Sequence, residues 1–206
     1  MNLTTYKMKT ALLGAVTITV LVMPAANADP GHRRGINQRF EDQQDRIATG
    51  IRSGELTPRE AADLETKESL FKTEEHMFRM DNGGSLTPAE KTKLNKRQNK
   101  LSEQIFDQKH DAQTAPTTAK SEVGQRLENQ QDHIAAGISK GQLTAAETAR
   151  LEAREVELRH HIETDRDANG GKLTDAERKH INEELDDLAR RIFKQKHDQE
   201  TQPHLH

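Results

Sequence analysis

The chain contains no cysteine and no tryptophan. The first absence removes disulfides, thiolate metal ligands and thiol nucleophiles together. Aromatic residues make up 3% of the 206 positions, and the apolar set as a whole is 32%, no larger than the charged set. So polar a chain buries only a narrow core and stands near the border with disorder. A strong charge of one sign is missing too. Formal net charge is −3, so nothing draws the chain generally to nucleic acid or to an anionic membrane. No β-branched alternation is present, which argues against a sheet. The one long apolar run, Ala11 to Met23, is too short to span a bilayer comfortably.

That run belongs to a secretory signal peptide over residues 1–28. Lys7 and Lys9 form its basic start, and Ala26-Asn27-Ala28 is an A-x-A cleavage site. Cutting after Ala28 leaves 29 basic and 34 acidic residues, a net charge of −5. The expected location is a bacterial periplasm or the exterior, with no membrane insertion.

What the mature chain does have is a duplication. Shifted by 87 residues, Ile36–Thr114 falls on Val123–Thr201 without a gap, and 35 of the 79 paired positions are identical. A repeat of this kind marks one structural unit copied once. The first copy predicts three helices, roughly Ile36–Arg52, Pro58–Met80 and Pro88–His110. Apolar residues spaced by threes and fours stripe each of them: Ile36, Phe40, Ile47 and Ile51, then Ala61, Leu64, Phe71 and Phe78, then Leu94, Leu101 and Ile105. The cleanest stripe in the second copy is Ile181, Leu185, Leu188 and Ile192. Gln44, Gln98 and Gln131 interrupt these seams. Of the pairs Gln43-Gln44 and Gln130-Gln131, one member each is expected to point inward and set helix register.

The breaks between helices repeat a phrase. Gly54, Gly84, Gly141 and Gly171 each precede x-Leu-Thr-x-x-Glu. Glycine suits the left-handed residue that stops a helix. Thr then caps the next one, and Glu three residues later closes a capping box. Thr57/Glu60, Thr87/Glu90, Thr144/Glu147 and Thr174/Glu177 all fit, and Leu56, Leu86, Leu143 and Leu173 are expected to tuck under the next helix. The reading is all-α: two three-helix repeats, 36–114 and 123–201, joined by a linker at 115–122. Each repeat has about a dozen seam positions and is marginal alone. Docking of the copies, self-association or a protein partner would supply further burial.

One break resembles an EF-hand calcium loop. Asp165-Arg166-Asp167-Ala168-Asn169-Gly170 reads D-x-D-x-N-G, and Glu177 lies near the place of the family's bidentate glutamate. The resemblance implies Asp165, Asp167, Asn169 and Glu177 as ligands to Ca²⁺ or a similar hard cation. The span from Asp165 to Glu177 is 13 residues, one more than the standard loop, with Gly171 as the apparent insertion. In the first copy Asp81, Asn82 and Glu90 form a partial counterpart. Capping alone also explains the Gly-x-Leu-Thr-x-x-Glu ending.

Ten histidines are many for this length, and three candidate clusters among them are unduplicated: His160-His161 with Asp165, His76-Met77 with Met80, and His204 with His206 in the tail. They read as solvated surface. Lys109-His110-Asp111 and Lys196-His197-Asp198 are duplicated at predicted helix ends, where Lys and His complement the dipole. The other reading of this motif is a binding surface present in both copies, built with Gln108 and Gln195. No nucleophile turn, phosphate loop or triad spacing points to an enzyme. Two functions follow: an exported metal-binding repeat protein, or a chaperone-like or adaptor module whose repeated motifs are helix caps only.

Overall fold

Threonine and glycine set the helix boundaries. In the computed structural model, which describes residues 35–114 and 121–201, six helices and no strand occur among those residues. They are α1 (Ile36–Ser53), α2 (Pro58–Asp81), α3 (Pro88–Lys109), α4 (Glu122–Ser139), α5 (Ala145–Ala168) and α6 (Asp175–Lys196). Thr57, Thr87, Thr144 and Thr174 start α2, α3, α5 and α6, each with both bonds of a capping box. All four predicted stop glycines have positive φ, between 64° and 93°. The signal peptide, most of the 115–122 linker and the tail histidines lie outside the described residues.

The helices share one core rather than one core per copy. α2 packs along α5 and α1 along α4, while α3 lies on α1 and α2, and α6 on α4 and α5. A single apolar cluster joins Ile47, Leu64 and Leu101 of the first copy to Ile134, Leu151 and Leu185 of the second. A smaller cluster of Phe40, Phe71, Leu86 and Leu94 sits beside it. The predicted stripes are the buried faces, with Ile36 and Phe78 at the margin.

Leu56 and Leu143 are fully buried and share a cluster with Leu64 and Leu151 of the following helix. These two leucines also lie on Gly50 and Gly137 of the preceding one, and their N–H groups donate to those glycine carbonyls at 3.0 and 3.2 Å. One expectation is corrected: the glutamine pairs do not divide into an inner and an outer member, because all four side chains are buried. Gln43 donates to the Gln98 carbonyl on α3 and Gln44 to Glu65 on α2. Gln130 and Gln131 do the same toward α6 and α5. α1 and α4 are each wedged between two partners, so adjacent positions face different neighbours.

Candidate functional site

The EF-hand-like stretch closes α5 and opens α6. Asp165 and Asp167 lie in the last turn of α5, and Asn169 caps it. Gly170 and Gly171 both take positive φ, 62° and 88°. The Gly171 N–H donates to the Arg166 carbonyl at 2.7 Å, the closing bond of a Schellman turn. Gly171 is therefore part of the helix stop.

Glu177 turns back onto its own cap. It accepts from the Thr174 N–H at 2.8 Å and from the Asn169 side-chain amide at 2.8 and 3.0 Å. The same amide donates to the Asp165 carbonyl at 2.7 Å. The Thr174 backbone bond, with help from Asn169, holds the Glu177 carboxyl below its usual range. Asn169 thus meets Glu177 through N–H and not through an oxygen turned toward a shared cation.

The first copy provides a control. Asn82 donates to Glu90 at 2.9 and 3.1 Å and to the Phe78 carbonyl at 2.7 Å, and Glu90 accepts from the Thr87 N–H at 2.8 Å. Glu90 is also held low, chiefly by that backbone bond. Phe78 and Met80 stand here at the positions of Asp165 and Asp167. The Asn–Glu lock is the same whether or not the aspartates are present, so it needs no cation. Asp81 is exposed at the end of α2. Among the described residues, no group of three or more His, Asp or Glu side chains is placed to hold a metal ion.

His161 meets Glu184 on α6 at 3.1 Å. His76, Met77, Met80 and His160 are exposed. The duplicated ends of α3 and α6 are more ordered. His110 stacks on Phe106 and His197 on Phe193, each pair with ring centroids 4.2 Å apart. Each imidazole Nδ1 lies 2.7 Å from the carbonyl of the same Phe, capping the helix end. The outer faces of the phenyl rings remain in solvent, with Phe106 55% and Phe193 67% exposed.

Sequence reasoning missed a buried carboxylate cluster between α2 and α5. Glu65, Glu68, Glu152 and Glu155 are fully buried, and the two pairs are related by the 87-residue shift. Burial pushes Glu65 up to about 8, opposed by the Gln44 amide. Glu68 and Glu152 are raised by burial and by neighbouring carboxylates. Glu155 is raised by burial, opposed by Arg159 and Gln131. The signal was present in the sequence. Glu65 and Glu68 fall on the stripe of Ala61, Leu64 and Phe71, and both recur in the second copy while the intervening residues change.

A cleft of about 180 Å³ lies beside Phe40 and Lys72, walled by Thr73 and the start of α5. It is smaller than ordinary ligand pockets. No helix of the described residues is long and apolar enough to cross a membrane. Comparison with protein-family models, with curated proteins and with solved structures finds no match for this chain.

Proposed function

We propose that this is an exported, non-enzymatic adaptor, two three-helix repeats long, that binds a protein partner through the twin Phe–His ends of α3 and α6. One observation carries the reading. Both copies hold an aromatic ring in solvent, fixed from behind by a capped imidazole. Rigid aromatic side chains of this kind supply contact area with little entropy to lose, and they dominate protein interfaces. The imidazole alone would cap the helix, so the cap does not account for the phenyl ring. The signal-peptide pattern supports export.

The metal-binding reading gains nothing from the geometry, because the Asn–Glu lock forms equally in the copy without aspartates. Photo-crosslinkers placed at positions 106 and 193 of the full chain in its native cells are expected to trap one discrete protein. The Phe106→Ser/Phe193→Ser variant is expected to lose that partner while melting like the parent, since both rings are exposed. No adduct from either position refutes the proposal. A Ca²⁺ binding isotherm that disappears in Asp165→Ala would restore the metal reading instead.

A further inference from the structure

The carboxylates buried between α2 and α5 have more oxygens than donors. Gln44 donates to Glu65 at 2.9 Å, and Gln131 donates to Glu152 at 3.0 Å and to Glu155 at 2.6 Å. Arg159 grips Glu155 with two N–H groups, at 2.9 and 2.7 Å. Glu155 is thus the member with a cation of its own. Its counterpart Glu68 is not so served. Lys72, which occupies the place of Arg159, reaches Glu75 at 2.7 Å instead. Both oxygens of Glu68 and one each of Glu65 and Glu152 have no hydrogen-bond partner among the described residues.

A buried carboxylate without donors is costly, whereas a protonated carboxyl carries its own donor and no charge. Arg159 balances one of the four acids, and Lys72, which acts on Glu68 from a distance, is itself paired with Glu75. We infer that the α2–α5 seam is a proton-dependent clasp, closed while Glu65, Glu68 and Glu152 hold protons and loosened when they ionise against one another. The two copies meet along this seam, so the clasp governs how firmly the duplicated halves hold together. The charged groups facing it are Lys72 and Glu75 on α2 and Arg159 on α5, while α1 and α4 contribute the neutral Gln44 and Gln131. No histidine acts on any of the four carboxyls.

The sign follows from linkage. A carboxyl whose folded pKa is raised contributes its full stability below the unfolded value near 4.5. It loses that contribution as pH rises through the folded value, about 8 for Glu65. Thermal melts of the mature chain at pH 5 and pH 8.5 test this. The parent is expected to melt roughly 5 °C or more lower at pH 8.5. The Glu65→Gln/Glu152→Gln variant, neutral at both pH values, is expected to lose most of that difference and to outlast the parent at pH 8.5. Glu68→Gln, which removes no existing hydrogen bond, is expected to shift the same way and serves if the double variant does not fold. A parent that melts equally or higher at pH 8.5 overturns the inference. So does a full parental pH difference retained in a folded variant.

Discussion

Each threonine at a helix start carries two tasks, and its surroundings decide how much it contributes. The Thr144 hydroxyl accepts from the Glu147 N–H at 3.3 Å and donates to the Glu147 carboxylate at 2.8 Å, in a half-buried setting. Thr174 makes the first contact but stands exposed, with water ready to replace it. Removing a cap hydroxyl costs about 1 kcal/mol, with a range of about 0.5–2. Thr144→Ala is therefore expected near the top of that range and Thr174→Ala near the bottom. In a chain of this size the first is a fall of about 4 °C or more in melting temperature and the second of about 2 °C or less. Equal losses at the two sites would show that burial does not govern these caps. The contrast bears on Glu177, whose carboxylate the structure ties to the Thr174 N–H and to Asn169.

At the scale of the element, a glycine inside a helix ordinarily costs about 1 kcal/mol against alanine. Gly50 and Gly137 nevertheless sit in the last turns of α1 and α4. A Cβ on Gly137 would lie 2.6 and 2.7 Å from Cδ1 and Cγ of Leu143, and 3.3 Å from the Lys196 side chain. Leu143 is fully buried and has nowhere to retreat. Overpacking of about 1–3 kcal/mol outweighs the gain in helix propensity. Gly137→Ala is expected to destabilise the protein by about 1 kcal/mol net in urea unfolding, and a stabilised variant would contradict the close approach. This position also shows why some of the fold escaped the sequence. Helix spans and starts were legible, because spacing and capping are local and Gly-x-Leu-Thr-x-x-Glu states both in seven letters. Gly137 makes sense only once the place of Leu143 is known. Glu65 and Glu68 went unnoticed because charge is usually solvated, although their stripe placed them inside. Asp165-x-Asp-x-Asn-Gly was legible as a string, but which way the Asn169 amide faces depends on the turn made by Gly170 and Gly171.

For the whole molecule, the consequential feature is that the copies share their interior. Leu64 of α2 and Leu151 of α5 belong to one cluster, as do Ile47 of α1 and Ile134 of α4. Separating the copies would expose those faces and strand Gln44 and Gln131 with their acids in water. Seventy-nine residues with the α1 and α2 faces uncovered fall short of what a small domain needs to offset chain entropy. A chain limited to residues 35–114 is therefore expected not to fold as a monomer. At low concentration its circular dichroism should be that of a largely unfolded chain. At high concentration it should pair with itself, α2 against α2, because the partner face it lacks is a near copy of its own. Sedimentation equilibrium read beside helicity distinguishes the outcomes. Helicity that rises with concentration in step with dimer formation is the expected result, and a cooperatively melting monomer would show that the shared core is dispensable.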